Sequence, residues 1–135
     1  MMIKKGLNLS QYSVLIVDDV PLNRLLVEKM LSPFQFNVRQ AENGLEVMRE
    51  LYSENKPHLI LLDILMPVMD GFETLEAIRE NHAWDDIKIV VLSALNTNED
   101  IVKAYNLGAS DFITKPIVMD KLLNTVAKQL EIPIE

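Results

Sequence analysis

Two adjacent aspartates, Asp18 and Asp19, directly follow an apolar run, VLIV, at residues 14–17. The run is typical of a buried strand, so both acids should lie at the edge of the core. Two carboxylates about 4 Å apart repel each other by roughly 4 kcal/mol at an effective dielectric constant of 20. The pair could interact favourably with the dipole of the helix that follows. It could also bind a cation, which would remove the repulsion.

Three further polar residues follow apolar runs in the same way. Asp63 comes after LILL, Ser93 comes after IVVL, and Lys115 comes after the short run DFIT. The carboxyl ends of parallel strands meet at one edge of a sheet, and ligands bind there. We therefore expect three carboxylates, a hydroxyl and an ammonium group to converge on one site.

This set of side chains suits a hard divalent cation such as magnesium. Mg²⁺ in proteins is usually held by one or two carboxylates and keeps several waters. One Mg²⁺ and Lys115 together balance the charge of the three carboxylates. The glycines, at positions 6, 44, 71 and 108, fit neither common nucleotide-binding loop. Any phosphate handled here would be held by metal, lysine and hydroxyl.

The elements that must carry these residues alternate regularly between strand and helix. Apolar runs predict five strands, at residues 12–18, 36–41, 58–63, 87–93 and 111–114. Apolar residues at helical spacing predict five helices, at residues 21–31, 45–53, 71–81, 97–108 and 119–130. This alternation predicts a single α/β domain over residues 1–135, with a core at about 12–130. The expected fold is a doubly wound, five-stranded parallel sheet of flavodoxin-like (βα)5 type, with strand order 2-1-3-4-5.

The helices carry recognisable signals of their own. Apolar positions 22, 25, 26 and 30 of the first helix have a helical spacing. Thr97 and Asp100 form a capping pattern at the start of the fourth helix, and Gly108 is placed to end it. The final residues, EIPIE, are expected to be frayed.

Composition limits the possible partners. The net charge is −7, which argues against a nucleic-acid-binding surface, because such surfaces are basic. There is no cysteine, and hence no disulfide or thiolate metal site. No stretch of the sequence has the roughly 20 apolar residues of a membrane span. We expect no nucleic-acid or membrane partner and a cytoplasmic location.

The ordered motifs VLIVDD, LLDILMPVMDG, VVLSA and DFITKP resemble those of the receiver domains of two-component response regulators. The segments AENGLEV and NLGASDF are also similar to this family. The resemblance extends from about residue 12 to residue 130. It implies a phosphorylation-controlled switch whose donor is a phosphohistidine on a histidine kinase or a phosphotransfer protein.

The resemblance also implies a role for each residue of the site. Asp63 would be the phosphoacceptor and also a ligand of Mg²⁺. Asp19 would bind Mg²⁺ directly, and Asp18 would bind it through water or orient the site. The backbone carbonyl of Leu65 would complete the protein ligands of the metal. Lys115 would pair with the phosphoryl oxygens.

Other positions would form the switch. Ser93 would hydrogen-bond the attached phosphoryl group, and Phe112 would be the aromatic residue that refills the space behind it. The Lys115–Pro116 bond would be cis. Leu65 and Leu95 would flank the path of the hydrolytic water, and because neither can orient a water, we expect slow loss of the phosphoryl group.

The resemblance implies a signalling module rather than an enzyme with its own substrate. Output would pass through a face formed by residues 97–130, to a downstream protein or along a phosphorelay, with the chain as a monomer or a phosphorylation-dependent dimer. We expect no effector domain within these 135 residues. It could also be a receiver excised from a hybrid kinase or larger regulator, or a degenerate receiver that binds partners without phosphorylation. A haloacid-dehalogenase-type phosphatase would need D-x-D, and position 20 is Val.

Overall fold

The computed structural model describes residues 3, 4 and 6–134. Its centre is a sheet of five parallel strands in the order β2-β1-β3-β4-β5, so the predicted topology is confirmed. The strands are β1 (Ser13–Val17), β2 (Asn37–Ala41), β3 (Leu59–Asp63), β4 (Lys88–Ser93) and β5 (Asp111–Thr114). Three of them, β1, β3 and β4, are almost entirely buried, as their continuous apolar runs predict.

Each strand is followed by one helix, which returns the chain to the opposite edge of the sheet. The helices are α1 (Pro21–Leu31), α2 (Gly44–Leu51), α3 (Gly71–Glu80), α4 (Asn98–Asn106) and α5 (Met119–Leu130). Local sequence signals fix where they begin. Pro21 occupies the first turn of α1, and the side chains of Asn43, Asp70 and Thr97 cap α2, α3 and α4.

The apolar residues of the sheet divide between its two faces. Val14 and Ile16 of β1 belong to one core cluster, with residues of α1 and α5. Leu15 and Val17 belong to the other, with residues of α2 and α3. This alternation follows from the period of two along a strand, and it leaves the sheet covered on both faces.

Three of the four apolar residues at helical spacing on α1 do not face the core. Leu22, Leu25 and Leu26 are 61%, 45% and 49% exposed. The buried residues of the helix are instead Arg24, Val27 and Leu31. The helix predicted from this spacing is confirmed, and Met30, the fourth of these residues, packs against the core. Spacing alone does not show which face is buried, and an arginine takes one of the inward positions.

The packed region extends beyond residues 12–130 at both ends. Ile3 and Leu9 before β1, and Ile132 after α5, are all buried in one core cluster. Ile3 also forms an isolated antiparallel bridge with Ile134. The expected fraying of the last residues is therefore wrong as far as residue 134, and Glu135 lies outside the described residues.

Among the residues that the structure describes, no helix is long and apolar enough to cross a bilayer.

Candidate functional site

The register of the sheet places the polar residues at its carboxyl edge. Val17 of β1 pairs with Leu62 of β3, so the next residue of each strand, an aspartate, emerges at the same level. Asp63 then pairs with Leu92 of β4, and Ser93 follows that residue. Register alone therefore brings together chain positions that are up to 75 residues apart in sequence, since it spans Asp18 to Ser93.

Asp18, Asp19 and Asp63 form a compact carboxylate cluster at this edge. One carboxylate oxygen from each residue lies within 4.8 Å of the others. Asp18 and Asp63 are only 5% exposed, whereas Asp19 lies closer to solvent. Carboxylate oxygens are the hard ligands that Mg²⁺ prefers, and the residues therefore fit a divalent cation.

Lys115, just after β5, supplies the positive charge at the cluster. Its Nζ lies 2.9 Å from Asp18 Oδ2, within hydrogen-bond distance, and 3.7 Å from Asp63 Oδ1. Its backbone N–H donates to the carbonyl of Ser93, which ties the lysine to the end of β4. The bond from Lys115 to Pro116 is cis.

Burial raises the pKa of Asp63 from its ordinary value of 3.8 to about 6. This value is the balance of several causes: the ammonium of Lys115 lowers the pKa, the neighbouring Asp18 adds to the rise, and the backbone N–H groups of Leu65 and Ile64 lower it. At neutral pH Asp63 is therefore mostly an anion, but one that the fold holds at a cost in stability. A cation that binds beside the Asp63 carboxylate would therefore stabilise the protein.

At the end of the loop after β3, the backbone of Gly71 packs closely against the backbone of Asp63 and Ile64. The N–H of Gly71 donates to the carbonyl of Ile64 at 2.9 Å. A Cβ at Gly71 would lie 2.4 Å from the Asp63 carbonyl oxygen, so only glycine fits here. Within the same loop, Val68 has a φ of +70°, an unfavourable backbone conformation for a β-branched residue, and it is 77% exposed.

The predicted switch residues lie beside the cluster. Ser93 is fully buried, and its Oγ accepts a hydrogen bond from the Leu95 N–H at 3.1 Å. Phe112 is 9% exposed and packs into the core. On the solvent side, Asp19, Leu65 and Leu95 line a common cleft, and Leu65 is 53% exposed.

A second opening reaches the site from the other side. A partly open cavity of about 240 Å³ runs from Asp63 and Lys115 to the apolar residues of α1, including Leu26 and Met30. Its wall near the site is formed by Pro116 and the residue after it. The cavity is mostly apolar and joins the carboxylate cluster to the exposed face of α1.

The sequence model of the family named response regulator receiver domain matches residues 14–127 of the chain. The chain belongs to this family. It is therefore a receiver domain of two-component signalling, and such domains are signalling switches that bind Mg²⁺ at an acidic pocket and interact with histidine kinases or phosphotransfer proteins.

Curated relatives include stand-alone and embedded receivers. The chemotaxis protein CheY of Bacillus subtilis is 36% identical over 120 residues, covering 88% of this chain and 98% of that protein. Hybrid signal transduction histidine kinase E of Dictyostelium discoideum is also 36% identical over 120 residues, covering 86% of this chain but only 7% of the kinase.

Solved structures agree with this assignment. The signal receiver domain of a signal transduction histidine kinase from Syntrophus aciditrophicus superposes with a TM-score of 0.81 at 32% identity, covering 89% of this chain and 90% of that one. Receivers thus occur both as whole proteins and as small parts of long kinases.

The structure brings together all five polar residues that the sequence placed at this site: Asp18, Asp19, Asp63, Ser93 and Lys115. Sequence reasoning missed one buried residue beside them, Arg24, because arginines in helices usually face the solvent. The loop after β1 that carries Asp18 and Asp19 (the acidic loop) and the polar strand β2 contain acceptors for a buried arginine. Nothing in the sequence shows that these acceptors lie within reach of Arg24.

Proposed function

We propose that the protein is a phosphorylation-controlled switch that accepts a phosphoryl group from a phosphohistidine donor onto Asp63. The observation that carries this proposal is the position of the Asp63 carboxylate, at a strand end, between two further aspartates and the ammonium of Lys115. Phosphoryl transfer depends mainly on positioning and charge stabilisation, and this site offers both.

Asp63 would act as the nucleophile. One of its carboxylate oxygens forms a bond to phosphorus while the bond from phosphorus to the donor imidazole breaks, and that electron pair returns to the imidazole nitrogen. Lys115 lies 3.7 Å from Asp63 and would stabilise the phosphoryl oxygens. Asp18 and Asp19, with the backbone carbonyl of Leu65, would hold Mg²⁺, which supplies positive charge to the phosphoryl group.

Ser93 and Phe112 would convert phosphorylation into a change of shape. The new group adds about −1.5 to −2 charges and three acceptor oxygens. The Ser93 hydroxyl, which now accepts from the Leu95 N–H, would turn to donate to a phosphoryl oxygen. Phe112 has no hydroxyl, so it would respond through packing alone.

Leu65 and Leu95 would prolong the phosphorylated state. They line the cleft beside Asp19 through which water would reach the phosphoryl group. Their side chains have no donor or acceptor that could orient an attacking water. We expect the protein's own hydrolysis of phospho-Asp63 to be slow for this reason.

The donor would dock on the exposed leucines of α1. Leu22, Leu25 and Leu26 form an apolar patch on a face that the core does not use. Leu26 also lines the cavity that leads to Asp63, so a donor bound to this patch would lie close to the phosphoacceptor.

Output would pass through the face formed by residues 97–130. This surface exposes Val102, Tyr105, Val118 and Met119, which suits binding to a downstream protein or to a second phosphorylated copy. Phe112 lies on β5, within the same segment of the chain, so a change in its packing could alter this face.

The test is incubation with acetyl phosphate and Mg²⁺, followed by intact mass. We expect a gain of one phosphoryl group in the wild type and none in Asp63→Asn. Asp86→Asn, an exposed aspartate, is the matched control and should behave as the wild type. Absence of phosphorylation from both acetyl phosphate and a phosphohistidine donor would favour a phosphorylation-independent binding module.

A further inference from the structure

Arg24 is a buried charge on the inward face of α1. It is 8% exposed and lies on the same side of the helix as Val27 and Leu31. Burying a guanidinium is unfavourable unless its N–H groups are hydrogen-bonded, so its partners indicate what the residue does.

The guanidinium joins the acidic loop to strand β2. Its Nη1 donates to the backbone carbonyl of Asp18 at 2.7 Å, and its Nε donates to Gln40 Oε1 at 2.9 Å. Its Nη2 lies 3.6 Å from Glu42 Oε1. Gln40 is itself held by Glu28, which accepts from Gln40 Nε2 at 2.5 Å. Hydrogen bonds therefore hold the Arg24 guanidinium to the acidic loop on one side and to β2 on the other.

The carbonyl of Asp18, which accepts from Arg24, lies between the two aspartates of the site. It belongs to the peptide unit that joins Asp18 to Asp19, and a peptide unit is planar. Holding its oxygen restricts the orientation of this plane, which contains the Cα atoms of both aspartates, and so limits the directions that their side chains can take. The Asp18 N–H, on the other side of that residue, donates to the Ala41 carbonyl at 3.2 Å. Both ends of Asp18 are thus anchored to neighbouring structure.

We propose that Arg24 is a positioning residue for the metal site: by holding the Asp18–Asp19 peptide, it prepares both carboxylates for Mg²⁺. This inference rests on the proposed function only in taking Mg²⁺ as the ion. Arg24 has no acceptor and is not itself a ligand. Outer partners of this kind typically change metal affinity by about 10–100-fold when they are removed.

The first test is calorimetric titration with Mg²⁺ and no phosphoryl donor. Arg24→Met keeps an unbranched apolar side chain and removes the donors, and we expect the Kd for Mg²⁺ to rise about tenfold. Arg49→Met is the matched control, because it removes one positive charge from an exposed position in the last turn of α2, at the opposite edge of the sheet. An unchanged Kd in Arg24→Met would overturn the proposal, and so would an equal rise in the control.

A second variant guards against simple unfolding of the first. Gln40→Leu changes an exposed residue and removes the acceptor of Arg24 Nε. We expect its Kd to rise severalfold in the same direction. A Gln40→Leu protein that binds Mg²⁺ as the wild type does would contradict the proposed network.

The rate of phosphorylation by acetyl phosphate separates positioning from general damage. In Arg24→Met the Mg²⁺ concentration for half-maximal rate should rise about tenfold, while the maximal rate at saturating Mg²⁺ stays within about twofold. A loss of maximal rate with unchanged half-saturation would refute the positioning role. If the proposed function fails, no variant is phosphorylated, but the calorimetric comparison still decides the role of Arg24.

Discussion

Replacing Asp63 with asparagine should stabilise the metal-free protein at neutral pH. The fold raises the pKa of this carboxyl from 3.8 to about 6, mainly by burial. One pKa unit corresponds to about 1.4 kcal/mol, so the full shift is about 3 kcal/mol. The carboxyl lies at the edge of the sheet and is partly screened by solvent, which reduces the expected gain to about 2 kcal/mol.

The sign of the effect sets its pH dependence. Between pH 3.8 and about 6 the native protein binds more protons at Asp63 than the unfolded chain does. The contribution of this group to the free energy of unfolding therefore falls as pH rises through that range, and the full cost is present above it. Asparagine does not titrate, so the variant's advantage should be largest above pH 7 and should close towards pH 4.

The assay is urea unfolding in EDTA at pH 7.5 and at pH 4, followed by the fluorescence of the buried Trp84. Asp86→Asn, which changes an exposed aspartate, is the control. With Mg²⁺ at a hundred times its Kd, the wild type should gain about 2.7 kcal/mol, and Asp63→Asn should gain less. The reasoning would be refuted if Asp63→Asn were less stable than the wild type at pH 7.5 without metal, or if its advantage did not depend on pH.

Three further predictions concern the loops around the site. Val68→Asn should raise the free energy of unfolding by about 1 kcal/mol in urea titrations, because Asn tolerates the positive φ that strains a valine. Gly71→Ala should lower it by about 2 kcal/mol or more, since the added Cβ would meet the Asp63 carbonyl oxygen, and an unchanged urea midpoint would contradict the close approach. Leu65→Asn combined with Leu95→Glu should shorten the half-life of the phosphorylated protein on the order of tenfold, measured by intact mass after removal of the donor, and an unchanged half-life would exclude a role for these leucines.

Much of the fold could be predicted because the strands carry strong local signals. The runs before Asp18, Asp63 and Ser93 are continuously apolar, and only strands buried on both faces need such runs. Parallel topology then places every strand's carboxyl end at one edge, so the candidate site follows from the order of the elements. No knowledge of side-chain geometry is needed for that step.

The orientation of α1 could not be predicted in the same way. The spacing of its apolar residues predicts the helix but does not show which face packs on the core, and three of its leucines are exposed. Arg24 can face inward because the Asp18 carbonyl and the Gln40 side chain, from other segments of the chain, accept its hydrogen bonds. A contact of this kind depends on tertiary structure, and local periodicity contains no information about it.

The burial of the chain ends has a similar explanation. Ile3 and Ile132 are covered because segments from opposite ends of the chain meet, with a bridge between Ile3 and Ile134. Each segment alone is too short and too polar to signal packing. Only their proximity in the fold makes them part of the core.

The measurement that tests the central claim most directly is the location of the phosphoryl group. The protein is treated with acetyl phosphate and Mg²⁺, the acyl phosphate is reduced with borohydride, and the digested peptides are mapped by mass. The account predicts one modified position, with the residue at 63 converted from aspartate to homoserine. Modification at Asp18 or Asp19 instead, or a phosphoryl group that persists in Asp63→Asn, would contradict it.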